Sequence, residues 1–239
     1  WGEKYDIMKK MKDWLDAYAH KIEEGETGEK FRLFYRLLSR KNEQINLTRI
    51  AGERECYIKH FLDSVAGEKY FPPNASVAEV GSGGGFPSVP LMLLRPDLKF
   101  TLIESVGKKC AFLEEVIREL DLPARVINAR AEEAARDRDL RENFDACCAG
   151  AVARMSTLCE YCLPRVRVGG VFVAYKGRAE EELTEAKNAL SVLGGRVAHV
   201  QCYALPEGEG ERTLIVAEKK SRTPALYPRG HGKERSKPL

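Results

Sequence analysis

Features that would assign this chain to a membrane or secreted class are missing from its 239 residues. No apolar run approaches the roughly eighteen residues that a membrane-spanning helix needs, so we expect no membrane partner. No secretory apolar segment is evident, and the seven cysteines are an odd number, which argues against a disulfide framework. The sequence therefore predicts a soluble, cytoplasmic protein with reduced thiols.

Metal-ligand motifs and a large charge excess are also lacking. The pair Cys159 and Cys162 has no second Cys-x-x-Cys and no flanking histidine, so we predict no metal site. A formal net charge of +3 is too small to indicate a nucleic-acid partner by itself. The basic excess is concentrated from Lys219 to Leu239, where seven basic residues accompany one acid, Glu234. Such a segment is either a solvated tail or a contact for RNA phosphates.

The hydrophobic pattern divides the chain into a helical part and an α/β part. Apolar residues at helical spacing predict a helical N-terminal extension over residues 1–70, packed on the sheet. From Ser76 onward, short β-rich runs alternate with amphipathic segments such as Lys108–Leu120. The predicted strands are Val77–Val80, Phe100–Ile103, Arg125–Ile127, Phe144–Cys148, Val171–Tyr175, Val197–Tyr203 and Thr213–Ala217.

This alternation is typical of an α/β fold with a parallel, doubly wound sheet. We predict a Rossmann-like, seven-stranded, mostly parallel sheet within residues 71–220, in which the last two strands form a hairpin around Pro206–Gly210. A basic C-terminal tail is assigned to residues 221–239. In this class of fold, ligands bind beyond the carboxyl ends of the strands.

The stretch AEVGSGGGFPSVP, residues 78–90, begins within the first predicted strand and predicts a cofactor site. Glycines at such a turn let a ligand approach main-chain N–H groups closely. The dinucleotide pattern GxGxxG is incomplete, because Phe86 occupies the place of the third glycine. An acid beside the loop attracts a cationic amino group and repels phosphates, which favours S-adenosylmethionine. The cofactor-binding residues assigned here are Glu79, Gly81, Ser82, Gly83, Gly85 and Phe86.

Two further strand ends contribute to the predicted cofactor site. Glu104 ends the second strand about twenty residues after the loop, the spacing at which an acidic side chain accepts hydrogen bonds from ribose hydroxyls. A solvated acid at a strand end is the alternative interpretation. After the third strand, Ala131 and Glu132 offer main-chain and acidic groups to an adenine amine.

With these residues identified, the sequence resembles the small-subunit ribosomal RNA guanine-N7 methyltransferase G family, also called glucose-inhibited division protein B. The resemblance runs from about Asn46 to Leu239. It is carried by Asn46-Leu47-Thr48, His60-Phe61-Leu62-Asp63-Ser64, the glycine-rich loop through Pro87, Glu104-Ser105 with Lys108-Lys109, Arg130-Ala131-Glu132, Phe144-Asp145, Ala151-Val152-Ala153, Lys176-Gly177, Tyr227-Pro228-Arg229 and Lys237-Pro238-Leu239.

The resemblance implies a class I S-adenosylmethionine-dependent methyltransferase that acts on N7 of a guanine in the 530 loop of 16S rRNA. It also implies cofactor contacts at Gly81, Phe86 and the Ala131-Glu132 pair. The family's aspartate before the loop is Glu79 here, and its Gly-Ile-Pro after the loop is Ser88-Val89-Pro90.

A third departure from the family pattern lies after the fourth strand, where the arginine associated with cofactor binding is replaced by Gly150. Gly150 itself is assigned to the cofactor-binding residues. We predict that the enzyme still works, with two alternatives for Arg154. If a helix begins directly after Gly150, Arg154 lies one turn further on, and the first alternative is that it reaches back toward the vacant space. The second alternative is that Arg154 points to solvent.

The chemistry of guanine N7 agrees with this interpretation. N7 keeps a lone pair at neutral pH, so the site must position and desolvate it, and we assign no catalytic residue. The fourth strand is followed by no Asn-Pro-Pro-Tyr motif, which an exocyclic amine target would use, and by no Pro-Cys pair for covalent attack on cytosine. His60 and Asp63 are predicted to join the helical part to the sheet rather than to act in catalysis.

Basic side chains near strand ends and in the tail are the predicted RNA contacts. They are Lys108, Lys109, Arg154, Lys176, Arg229, Lys233 and Lys237. The expected partner of a monomeric enzyme is 16S rRNA or the small ribosomal subunit. Two alternatives stay open: a methyltransferase of another RNA or a small molecule, and an inactive methyltransferase-like RNA-binding or assembly factor.

Overall fold

The computed structural model describes residues 15–50, 52–150 and 152–239. Residues 15–23 are helical. A π-helical segment, Tyr57–Leu62, connects the α-helix that ends at Cys56 to the one that begins at Asp63. Short 3-10 turns lie at Glu68–Tyr70, Leu163–Arg165 and Pro206–Gly208. The α-helices after residues 15–23 are α1 (Gly25–Ile45), α2 (Glu53–Cys56), α3 (Asp63–Val65), α4 (Ser88–Leu94), α5 (Gly107–Leu120), α6 (Ala131–Ala134), α7 (Met155–Cys162), α8 (Glu180–Glu185), α9 (Lys187–Val192) and α10 (Lys233–Ser236).

Seven strands form a single mixed sheet in the order β3-β2-β1-β4-β5-β7-β6. β7 pairs antiparallel with both β5 and β6, and the other four pairings are parallel, so the predicted seven-stranded, mostly parallel sheet is confirmed. Each predicted strand lies inside an observed one. The outermost strands are β3 and β6, and the pairing of β6 shifts register between Val197 and His199. The strands are β1 (Ser76–Val80), β2 (Lys99–Glu104), β3 (Ala124–Asn128), β4 (Phe144–Ala149), β5 (Val166–Lys176), β6 (Gly195–Ala204) and β7 (Glu211–Lys219).

Hydrophobic side chains cover both faces of the sheet. On one face, Phe31, Phe34 and Phe61 of the helical extension are fully buried in a core that includes Val77 of β1. On the other face, α7 and α9 pack against the sheet, and every residue of α7 is buried. Helices on both faces bury the central parallel strand β1 from Val77 to Val80, which is why this stretch is apolar except for Glu79.

The C-terminal segment, residues 221–239, is anchored on the core and is not a solvated tail. Arg141 donates to the carbonyl oxygens of Tyr227 at 2.7 Å and Thr223 at 3.0 Å, and Arg136 donates to that of Pro228 at 2.7 Å. Residues 1–14 of the predicted N-terminal extension lie outside the described residues. Within the part that the structure describes, no helix has the length and apolarity needed to cross a membrane.

Candidate functional site

The loop between β1 and α4 requires glycine at two positions. Gly81 has φ +71°, and a Cβ there would lie 2.6 Å from Cγ2 of Val152. Gly85 has φ +89°, and its Cβ would lie 2.7 Å from Cγ2 of Val89. Both positions therefore exclude a side chain by conformation and by space. Gly83 also has a left-handed backbone, φ +53°, but a Cβ there would meet no atom closer than 3.8 Å, so the space beside it is free.

Glu104 lies at the carboxyl end of β2, directly beside this loop. Its two carboxylate oxygens accept hydrogen bonds from the N–H of Gly83 and the N–H of Val106, each at 2.9 Å. Its carbonyl oxygen accepts from the Asn128 side chain at 3.0 Å, which ties the end of β3 to the same place. The structure thus brings together the loop and the acid that the sequence predicts as the ribose acceptor.

Glu79 is fully buried below the loop. Its carboxylate accepts from the Ser88 N–H at 3.0 Å and from the Ser88 hydroxyl at 2.6 Å. Burial raises the pKa of Glu79 to about 7, and the hydrogen bonds from Ser88 oppose this shift. The carboxylate therefore fixes the start of α4, where each of its oxygens accepts one hydrogen bond from Ser88.

Phe86 links the loop to the helical extension. Its ring stacks on His60 with centroids 4.3 Å apart and planes 12° from parallel. His60 Nε2 lies 2.7 Å from Thr48 Oγ1. Burial, aided by the positive charge of Arg212, lowers the pKa of His60 to about 4, so the imidazole is neutral at pH 7. The predicted joining role of His60 is confirmed, and its contact with the loop is one that the sequence did not reveal.

Asp63 makes the second junction between the helical extension and the sheet. Its carboxylate accepts from the Tyr203 hydroxyl of β6 at 2.6 Å and from Arg212 Nε of β7 at 3.3 Å. Burial raises the pKa of Asp63, and both hydrogen bonds counteract it. Asp63 thus has the joining role that the sequence predicts.

The end of β4 also adjoins the loop. A Cβ added at Gly150 would lie 3.8 Å from the Phe86 carbonyl oxygen, which is ordinary van der Waals contact. The next helix, α7, begins only at Met155, and the guanidinium of Arg154 pairs with Glu185. Arg154 is 59% exposed, so the first alternative, in which it reaches back to the position of the missing arginine, is wrong and the solvent-facing alternative holds.

Two more predicted RNA contacts are engaged within the protein. Lys176 at the end of β5 donates to the Ala153 carbonyl oxygen at 2.9 Å and pairs with Glu182 at 2.7 Å. Arg229 pairs with the fully buried carboxylate of Glu160 at 2.8 Å. Both cations are mostly buried, so these ion pairs compete with any phosphate contact.

The remaining predicted residues lie near the same edge of the sheet or on the C-terminal segment. Lys108 and Lys109 occupy the first turn of α5, while Lys233 and Lys237 are exposed at the two ends of α10. Ala131 and Glu132 begin α6, and the Ala131 carbonyl oxygen accepts from the buried Arg165. Among the described residues, no group of three or more histidine, cysteine or acidic side chains is arranged to hold a metal ion.

Comparison with known sequences yields one matching family and close relatives. A family model described as GidB, rRNA small subunit methyltransferase G, matches residues 27–214. The ribosomal RNA small subunit methyltransferase G of Lactobacillus johnsonii is 44% identical over 231 residues, which cover 94% of this chain and 96% of the relative. The protein of that name from Staphylococcus aureus (strain JH9) is 45% identical over 234 residues, covering 95% and 98%.

Solved structures share the fold at low sequence identity. M. jannaschii TYW2, in complex with AdoMet, has a TM-score of 0.52 at 16% identity, over 71% of this chain and 77% of that chain. A SAM-dependent O-methyltransferase from Thermotoga maritima has a TM-score of 0.51 at 15% identity, over 77% and 72%. These likenesses confirm the predicted class I methyltransferase fold.

Proposed function

We propose that this chain, which belongs to the rRNA small subunit methyltransferase G family, transfers the methyl group of S-adenosylmethionine to N7 of a guanine in the 530 loop of 16S rRNA. The observation that carries the proposal is the loop from Gly81 to Phe86, which has free space beside Gly83 and is bonded there to Glu104 at the carboxyl end of the sheet. Ligands of doubly wound folds bind at this edge.

The residues at this edge fit an adenosine cofactor. Gly83 leaves space for a ligand where a side chain would stand, and Glu104 lies at the strand end from which a carboxylate accepts hydrogen bonds from ribose hydroxyls. Ala131 and Glu132, after β3, are proposed to contact the adenine of the cofactor. Gly81 and Phe86 are proposed to contact the other parts of the cofactor. When bound, the cofactor supplies an electrophilic methyl group on a sulfonium.

The chain itself has to position the guanine and exclude water. N7 of guanine carries a lone pair and no proton, so the transfer needs no general base. This agrees with the surroundings of the loop, where His60 is neutral and bonded to Thr48, and Glu79 is buried and bonded to Ser88. We therefore propose that the site acts by orientation and desolvation.

Methyl transfer to ribosomal RNA from a strain that lacks the gene tests this function. Tritiated S-adenosylmethionine is supplied with either naked 16S rRNA or isolated small subunits, and the labelled nucleoside is identified after digestion. We expect 7-methylguanosine. A different labelled nucleoside would indicate another methyltransferase, and cofactor binding by calorimetry without transfer would favour the inactive RNA-binding factor.

We further propose that a single chain is the active unit and that it works in the cytoplasm. The cytoplasmic location is supported by the proposed ribosomal substrate. Sedimentation of the protein with and without rRNA tests whether a single chain is the active unit.

A further inference from the structure

We propose that the RNA backbone binds beside the cofactor site, on the segments that follow β2 and β3, and not across the end of β5. The phosphate-binding surface, called the β2–β3 patch here, comprises Lys108, Lys109, Arg130 and Lys233. The proposal rests on the proposed rRNA methyltransferase function and names the surface by which that site receives its substrate.

The two strand ends that carry the patch are held together. Glu104 of β2 is in register with Asn128 of β3, and the Asn128 side chain donates to the Glu104 carbonyl oxygen at 3.0 Å. At the start of α5, a Cβ added at Gly107 would lie 3.8 Å from Asn128 Oδ1. Lys108 follows Gly107 directly, and Arg130 comes two residues after Asn128. The two cations therefore belong to one continuous surface.

The C-terminal segment extends the patch from the side of β3. Arg130 lines a surface cleft of about 350 Å³ together with Gly230, His231 and Gly232. Lys233 is the next residue along the chain and is exposed. Glu132 and Glu133 line the same cleft, so we place the phosphate contacts on Arg130 and on the lysines outside the cleft, and not on the rest of its lining.

Charge pairing distinguishes this surface from the rest of the sheet edge. Within residues 15–50, 52–150 and 152–239, no carboxylate lies within 4.0 Å of the charged nitrogens of the four patch cations. Their charge is thus available to phosphates, which supply most of the electrostatic affinity of RNA-binding proteins.

The end of β5 has the opposite character. Its three cations each have an acidic partner: Arg154 pairs with Glu185, Lys176 with Glu182, and Arg178 with Glu211. The short helix α8 also carries Glu180 and Glu181, so acids outnumber bases there. This side repels a phosphate backbone. The assignment of Arg154 and Lys176 to RNA contacts, made from sequence, is revised accordingly.

The test compares the salt dependence of RNA binding in two matched double variants. Lys108→Ala/Arg130→Ala removes two patch cations, and Arg54→Ala/Arg178→Ala removes two exposed arginines that pair with acids. Affinity for full-length 16S rRNA is measured by filter binding between about 50 and 200 mM salt. For the patch variant we expect the slope of log affinity against log salt to become shallower by about 0.7 to 0.9 per lost contact.

For the control variant we expect the slope of the wild type. An unchanged slope in the patch variant, or an equal change in both variants, would overturn the proposal. Lys233→Ala tests the patch a second time, on the C-terminal segment. We expect its slope of log affinity against log salt to become shallower by about 0.7 to 0.9. The variants could show these slopes while the wild-type protein transfers no methyl group to RNA. That result would contradict the proposed function and still support the binding surface.

Discussion

Glu104 is the residue on which the geometry of the proposed cofactor site depends most, because it bonds both to the loop at Gly83 and to the start of α5 at Val106. Glu104→Gln removes the charge and turns one acceptor into a donor that faces an N–H group. We expect a loss of about 1.5–3 kcal/mol in S-adenosylmethionine affinity, measured by calorimetry. Glu114→Gln, an exposed change on α5, serves as the control, and equal affinity in both variants would contradict the assignment.

The glycines of the site differ in what a side chain would meet. Gly150→Arg has space at its Cβ and no left-handed backbone, so we expect a stable protein whose cofactor affinity is equal to or above that of the wild type. Gly81→Ala places its Cβ 2.6 Å from Val152 at φ +71°, and we expect a loss of about 1–3 kcal/mol in unfolding free energy. Urea denaturation measures the unfolding free energy of both variants, and calorimetry measures their cofactor affinity. A stability loss in Gly150→Arg as large as that in Gly81→Ala would refute the distinction.

Single residues could be predicted from sequence where the signal is local. The loop glycines and Glu104 stand at characteristic distances from predicted strands, and the structure brings them together. The ion pairs of Arg154 and Arg229 were missed because their partners lie 31 and 69 positions away along the chain. No local pattern distinguishes a cation that will meet a buried acid from one that will face solvent.

The contact of His60 with Phe86 joins the helical extension to the loop and makes this junction sensitive to pH. The pKa of His60 is about 4 in the folded state, against 6.5 for an ordinary histidine. A lowered folded pKa adds stability above pH 6.5, and that stability is lost as pH falls from 6.5 toward 4. The full contribution is about 3 kcal/mol.

His60→Phe keeps an aromatic ring against Phe86 and removes the titrating group. We expect the unfolding free energy of the wild type to fall by up to about 3 kcal/mol relative to this variant between pH 7 and pH 4. Urea denaturation at several pH values measures the difference. Parallel pH profiles for the two proteins would show that His60 does not titrate in this way.

Elements with a regular period were predicted well. The predicted Lys108–Leu120 helix is observed as Gly107–Leu120, since its apolar face repeats with helical spacing. The π-helical segment Tyr57–Leu62 was not predicted, because its wider turn depends on how Phe61 and its neighbours pack in the core. The full length of β5 was also missed, since Val166–Gly170 contains two glycines and lacks a clear strand pattern.

At the scale of the whole molecule, the C-terminal segment closes one face of the core through a buried ion pair. Arg229→Ala leaves the carboxylate of Glu160 buried without its partner, and we expect the unfolding free energy to fall by about 3–5 kcal/mol. Lys237→Ala, at an exposed position, should change it little. Adding Glu160→Gln to Arg229→Ala should recover part of the loss. Equal stability of Arg229→Ala and Lys237→Ala in urea would contradict the role of this pair.

The order of strands in the sheet has a consequence for self-association. Outer strands expose unpaired main-chain groups to which a strand from another molecule can bind. Here the outer strand β3 carries exposed Arg125, while the outer strand β6 carries exposed Arg196 and His199 beside its register shift. Charged side chains such as Arg125 and Arg196, together with an irregular pairing at an edge, disfavour the addition of a further strand. The sheet therefore ends on both sides in strands that resist edge-to-edge aggregation.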